Sequence, residues 1–470
     1  MKWSPICARL DLRSKSPRLG PNLKLAGRIW LCERKTICLD SLPVVRNTDD
    51  MAGKGQTAAS SLSGNESLKV LLCVVVSFSL LRYLHDLVKF LVESPFIDFA
   101  HYYTYATVVS LGLDPFDQQA TSRVDAMLNI RRAGSAPNYP PLFYVFMQPL
   151  VLLPFRYAKL AWVFMGQVCL LGSLFICLRQ VSAVSPVRVA AVLFVVLNYQ
   201  PLAETIALGQ SNLVVLFLVT VAWWGLRNGY QWAAATALAL TAHIKPQFAV
   251  LLLLLWWMGY GAVGARALLL AGIGLGASFF VLGPDHHFTY ARYVTSLPDY
   301  LLTWTANLSP RATLHRLFEP ANFGPVLADS LWLTLGVGLL FLVARVIPRA
   351  LPSHSPAFDG AWGLGLCAVL LLSPLTEEHH LVILLLPLTL LLLNGWGAHL
   401  PDRETVVLVG SILLLGSRYS LEQFPAFHQG ALSLLMTGKL LGMIGLTGML
   451  AARLLSGTAL LRADPAKMMP

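Results

Sequence analysis

Glu93-Ser-Pro-Phe-Ile-Asp98-Phe-Ala-His101-Tyr102-Tyr103-Thr-Tyr105, running on through Gly112-Leu-Asp114-Pro115-Phe116-Asp117, decides how this chain is read. An apolar run over 69–92, long enough to cross a bilayer, leads straight into it. The acidic residue at 98 therefore sits among aromatics at a membrane–water boundary, where amphipathic rings prefer to lie. A carboxylate that dips into hydrocarbon costs roughly 3 kcal/mol at the centre of a span, so an idle one is easily lost. Phe99, Tyr102, Tyr103, Ala106 and Val109 follow at helical spacing, which predicts a short helix lying on the surface rather than a second crossing. The plainer reading of Asp98 is a helix N-cap, and capping does not exclude chemistry.

Composition points the same way. Of 470 residues 56% are hydrophobic and only 13% charged, with a mean hydropathy of +0.62. A soluble domain carries about 25% charged residues, so this is an all-α, polytopic membrane protein. The net charge of +11 reports topology rather than nucleic-acid binding, because basic residues gather on cytoplasmic connections. Cys7, Cys32, Cys38, Cys73, Cys169, Cys177 and Cys367 show no metal-type spacing, and neither a disulfide framework nor a zinc site is expected.

Residues 1–65 differ from the rest. The first fifty mix Arg, Lys, Ser and Pro without the apolar core of a secretory signal. Either the protein starts at Met51 or the extension is a disordered basic tail; both readings leave it outside a membrane domain over 66–456. Residues 457–470 read as a cytoplasmic tail. Apolar runs recur from 69–92 to 432–455, several of them shorter than the roughly 20 residues of a straight crossing.

Arginines orient these runs. Arg227, Arg266, Arg345 with Arg349, Arg403, and Arg453 with Arg462 fall in alternate connections and at the C-terminus, which places those in the cytoplasm. The intervening polar clusters then all face outward: Gly209-Gln210, His243-Ile-Lys245-Pro246, the 284–325 loop, and Ser373-Pro-Leu-Thr-Glu377-Glu378-His379-His380. Arg179 and Arg188 make the third connection cytoplasmic, so the run after Asn138-Tyr139-Pro140-Pro141 is expected to be re-entrant or interfacial. About twelve spans remain, with both ends inside.

Each outward cluster has a chemical and a plain reading. Gln210, Ser211 and Asn212 open a helix, where free N–H groups attract anions or simply make a polar cap. Lys245 breaks the charge rule on the outer side, as a phosphate contact or a snorkelling side chain. His379 and His380 point about 100° apart on a helix, so one metal does not easily take both. One of them suits a phosphate as hydrogen-bond donor or cation, the other a satisfied interface. The 284–325 loop adds His286, His287, Arg292, Arg311, His315 and Arg316. No Walker loop, dinucleotide fingerprint or serine elbow is present. One carboxylate facing gathered cations suits displacement at a carbon that carries a phosphate leaving group on a lipid.

Taken together, Asp98-Phe-Ala-His-Tyr-Tyr with Gly-Leu-Asp-Pro-Phe-Asp117, Tyr139-Pro-Pro-Leu142, Leu208-Gly-Gln-Ser-Asn212, Ala242-His-Ile-Lys-Pro246 and Leu372-Ser-Pro-Leu-Thr-Glu-Glu-His-His380 resemble glycosyltransferase family 87. The resemblance runs over about 66–455. It implies a GT-C-type bundle with short interfacial helices, a polyprenyl-phosphate sugar donor (mannose the expected sugar, arabinofuranose a relative's), and inverting transfer with Asp98 as base. It also implies that His379 and His380 lie by the active site. Lys245, His379, His380, Gln210, Asn212, Arg311, Tyr102 and Tyr103 are the candidates for donor phosphate or substrate. No metal ligand set is expected, a divalent cation is left open, and no nucleic acid is involved. The acceptor is expected to be a glycolipid or glycan at the outer face of the cell membrane. A transporter or flippase without transferase activity is the rival from another class, and a non-catalytic family member the third reading.

Overall fold

The structure is a computed structural model that describes residues 51–130, 138–181, 185–296, 300–319, 321, 323–394, 402–418 and 421–463, with side chains between 66 and 456. The expectations for residues 1–50 and 464–470 lie outside the described residues. The chain divides into 1–62 and 63–470, and every site residue belongs to the second unit. Among the described residues all regular structure is helical. The last helix, Gly438–Ala463, continues seven residues past the expected domain end at 456.

Among the described residues five helices are long and apolar enough to cross a membrane: Glu66–Glu93, Phe155–Gln180, Gly261–Leu282, Gly324–Val346 and Gly438–Ser456. Pro186–Leu197 and Gln200–Leu208, bent by 45°, make a sixth if they form one broken span. Four more apolar helices (Asn212–Arg227, Pro246–Trp257, Pro356–Leu372 and Glu378–Asn394) fall short of that length. The expected twelve or so spans are thus not reached by length and composition. At 1.5 Å per residue a 16-residue helix covers about 24 Å of a hydrocarbon layer about 30 Å thick. The run after Tyr139 breaks into Pro141–Phe146 and Gln148–Val151, neither of which can cross.

Hydropathy alone does not distinguish a lipid-facing helix from a core one, since both are apolar all round. Packing separates them. Glu66–Glu93 and Gly324–Val346 bury only 6% of their most apolar windows. In Pro356–Leu372, by contrast, every residue from Phe358 to Leu371 is buried. At the start of that core helix Ser355 caps by accepting from Phe358 N–H. One turn in, Asp359 accepts from Arg227 Nη1 (2.6 Å), Trp223 Nε1 (2.9 Å) and Asn394 Nδ2 (3.1 Å). A buried charge is tolerable only when so completely paired, and this one ties three helices together.

The stretch that opened the sequence reading forms the helix Ile97–Ser110. Its register is as expected but its setting is not: every residue from Phe99 to Val108 is buried. The helix is a strut inside the protein rather than a surface element. Phe96, in left-handed conformation (φ 50°), occupies the N-cap position, so Asp98 is not the cap. Its side chain is left for other work.

Candidate active site

Two turns of backbone bring Asp98 to its partner. Gly209 ends the helix Gln200–Leu208 with φ 70°, a left-handed conformation natural to glycine. A Cβ there would stand 2.6 Å from Phe99 Cβ and 2.7 Å from Phe96 Cδ1, so only glycine lets this helix end close on the start of Ile97–Ser110. Trp162 Nε1 donates to Gly209 O (2.8 Å) and fixes the turn from the far side. The next residue, Gln210, then donates from Nε2 to Asp98 Oδ2 (2.8 Å).

The other end of the same amide is saturated. Gln210 Oε1 accepts from Tyr102 OH (2.8 Å) and Tyr139 OH (2.9 Å), and Tyr139 OH also meets Ser211 Oγ (2.9 Å). An ionised carboxylate only accepts, so Asp98 takes the amide nitrogen and leaves the amide oxygen to the two hydroxyls. Asp98 is aimed by an amide rather than neutralised by a cation. Burial raises its pKa to about 6, against the opposing pull of the Gln210 hydrogen bond and the Lys245 charge.

Lys245 arrives from the opposite direction. Pro246 stops the helix Gln231–Ile244 and forces the residue before it into extended conformation (φ −136°), which turns the lysine inward. Lys245 Nζ lies 2.7 Å from His380 Nε2 and 5.5 Å from the centre of the Tyr139 ring. Burial lowers its pKa, while the carboxylates of Glu377 and Asp98 oppose that shift. Glu377 is pushed the other way, upward, by burial and by the charge of Asp98.

His380 is fixed by a reciprocal cap on the 3-10 helix Glu378–Leu384. Glu377 N–H donates to His380 Nδ1 (3.1 Å), and the Glu377 side chain accepts from the His380 backbone. The Nε2 side of that ring faces Lys245 at 2.7 Å, and the tautomer of the ring sets which nitrogen donates.

The neighbouring ring is the freer one. His379 is 2% exposed, its Nε2 has no partner among the described residues, and its Nδ1 lies 3.8 Å from Glu377 Oε2. Its backbone oxygen accepts from Asn212 Nδ2 (3.0 Å) and Thr205 Oγ1 (3.1 Å). A buried ring nitrogen without a partner costs free energy until something polar fills the gap. Glu377, His379 and His380 do offer three ligand atoms within 4.8 Å of one another. A cation there would have to displace the Lys245 amine and break the Glu377 cap, so the donor set suits an anion better.

The remaining sequence candidates divide. Tyr102 and Gln210 are in the cluster; Asn212 supports it from behind, by way of the His379 carbonyl. Tyr103 turns away and donates to Leu153 O (2.7 Å). Arg311 is engaged by Asp329 through Nε (2.7 Å) and Nη2 (3.1 Å), with His315 on the same carboxylate (3.0 Å). Tyr139, Trp162 and Glu377 are members that sequence reading did not single out for the site. Tyr139 stands in the Tyr139-Pro140-Pro141 stretch, which the sequence reads as the start of a re-entrant or interfacial run.

The model of glycosyltransferase family 87 matches residues 138–374, which holds Tyr139, Gln210 and Lys245. The chain belongs to glycosyltransferase family 87. It is a membrane glycosyltransferase, with the helical membrane architecture that this family resemblance implied. No curated protein matches it. Among solved structures the chain is similar to ArnT from Cupriavidus metallidurans in the apo state, with 12% identity over 84% of this chain and 78% of that one, at a TM-score of 0.34. Asp98 and the His379-His380 pair lie on either side of the matched segment and join it only through the contacts described above.

Proposed function

We propose that this family-87 enzyme is an inverting transferase that moves a sugar, mannose in our reading, from a polyprenyl phosphate to a glycolipid or glycan acceptor at the outer face of the cell membrane. One observation carries the reading. Asp98 is a half-buried carboxylate held by a neutral amide, and among the described residues no ion pair joins it to Lys245, whose charge acts on it.

In this reading the two groups act on opposite sides of one anomeric carbon. The acceptor hydroxyl attacks the anomeric carbon from the side opposite the phosphate, and its proton passes to Asp98. The bond from that carbon to the phosphate oxygen breaks, and its electron pair departs with polyprenyl phosphate. Lys245 and His379 Nε2 hold the growing charge. One displacement inverts the anomeric centre. The arginine pattern of the connections supports an outward-facing site.

The test is transfer of labelled mannose from a synthetic polyprenyl-phosphate mannose by purified protein, followed by the anomeric configuration of the product. Asp98→Asn should keep donor binding and lose transfer. Wild-type protein that carries donor across vesicles without transferring sugar would replace this reading with a carrier.

A further inference from the structure

Asn307-Leu308-Ser309 spells a glycosylation acceptor, yet Asn307 is fully buried and its amide is already engaged. Its Nδ2 donates to Leu301 O (2.9 Å) and Pro374 O (3.1 Å). Its Oδ1 accepts from the backbone N–H of Ser309 (3.1 Å) and of Thr376 (3.2 Å). An amide has two hydrogens to give and two lone pairs to fill, so all four places are taken. Aspartate would keep only the accepting half and leucine only the shape, while glutamine would hold its amide one methylene farther out.

Two of the four contacts stay inside the loop and fold it into a turn. The other two cross 67 and 69 residues of chain, to Pro374 and Thr376. Neighbouring atoms widen that crossing. Leu308 N–H donates to Thr376 O (2.6 Å), and Ser309 Oγ donates to Pro374 O (3.0 Å). Thr376 is thus gripped at both its N–H and its C=O, and its Oγ1 donates to Leu370 O of the core helix Pro356–Leu372 (2.8 Å). From the loop side, Arg316 Nη1 donates to the carbonyls of Trp304 and Asn307, at 2.8 Å each. That buried guanidinium, one of the loop cations in the sequence, therefore braces the turn.

The crossing ends where the site begins. Thr376 is followed by Glu377, whose N–H donates to His380 Nδ1 (3.1 Å) and so orients a ring that meets Lys245 at 2.7 Å. His379 and His380 lie on the 3-10 helix Glu378–Leu384. Such a helix is short and its hydrogen bonds are poorly aligned, so the segment that leads into it decides where it starts.

We propose that Asn307 is a positioning residue for transfer: by clasping Pro374 and Thr376 it sets where Glu377 opens the 3-10 helix, and hence where the His379–His380 pair stands beside Lys245. The inference rests on the transfer reading for what the pair does, and on the contacts above for how the pair is held.

The test compares wild type, Asn307→Leu and Asp329→Ala as purified full chains in detergent. Diethylpyrocarbonate labelling of His380, measured by mass spectrometry against the exposed His85, needs no turnover. It should rise in Asn307→Leu and stay at the wild-type level in Asp329→Ala, which removes the Arg311 and His315 contacts elsewhere in the same loop. For transfer, kcat per folded molecule should fall about tenfold in Asn307→Leu with the acceptor KM unchanged, the scale of a group displaced by part of an ångström. A turn that served stability alone would lower the melting temperature and leave both constants as they are. Unchanged labelling overturns the inference, as does raised labelling with an unchanged kcat. An equal loss of kcat in Asp329→Ala overturns it too, because any loosening of the loop would then suffice. Should Asn307→Leu not fold, Asn307→Asp, which keeps both accepting contacts and loses both donors, is read in the same way. If wild type transfers no sugar, the transfer reading falls, while raised labelling still upholds Asn307 as the residue that places the pair.

Discussion

Two carboxylates in this protein, Asp359 buried and Asp98 half-buried, stand near cations in opposite ways. Asp359 touches its cation directly, with Arg227 at 2.6 Å and Trp223 and Asn394 completing the shell. Asp98 is held by Gln210, while Lys245 is held by His380, and each is satisfied by a neutral partner. The first arrangement is closed and has nothing to offer a ligand. In the second, charges of both signs are oriented and left uncombined, which costs stability and is kept only where something must come between them. What differs is whether the fold allows the cation to reach.

The sharpest way to break this comparison is to neutralise Asp98. Asp98→Asn should cut transfer by about a thousandfold, the middle of the range a general base contributes, while the protein melts where wild type does. A variant that keeps its turnover would put Asp98 among the structural residues. Asp359→Ala should do the reverse. Leaving Arg227 buried without a counter-charge costs about 3–5 kcal/mol, read as lower thermal stability in detergent, with normal turnover per folded molecule.

A third measurement concerns pH. Burial raises the Asp98 pKa to about 6, and a base works only when ionised. Transfer should therefore rise with pH through about 6 and fall about tenfold per unit below it, with that limb missing in the residual activity of Asp98→Asn. Because the fold favours the protonated carboxyl, the contribution of Asp98 to stability is present at low pH and lost as pH rises through about 6. Acid should then silence the site before it melts the protein, and the two curves can be recorded on one sample. The smallest effect is expected from a chelator: with Lys245 beside His380, removal of divalent ions should leave the rate unchanged, and a rate restored only by added metal would reverse the anion assignment.

Much of the site could be read in one dimension because its members break local rules. An aspartate at the end of an apolar span, a lysine before a proline on the wrong side of the charge pattern, and two histidines in a leucine run each stand out in composition alone. Gln210 and Asn212 were visible as polar residues but not in their roles, since aiming Asp98 and holding the His379 carbonyl are contacts 112 and 167 residues apart in the chain. Arg311 illustrates the opposite error. It looks free in sequence, and Asp329, which occupies it, lies in an apolar helix where a carboxylate is not expected.

The sequence by itself determined that this is a helical membrane protein, where its polar interruptions fall, and which side chains are out of place in an apolar setting. Hydropathy and proline act over a few residues, so they can be read from a short window. Only the tertiary structure decided which apolar helices are core and which meet lipid, which carboxylate is paired and which is held open, and that Gly209 must lack a side chain for Gln210 to reach Asp98. Those outcomes depend on distances between segments far apart in the chain, and such distances are set by packing rather than by any local preference.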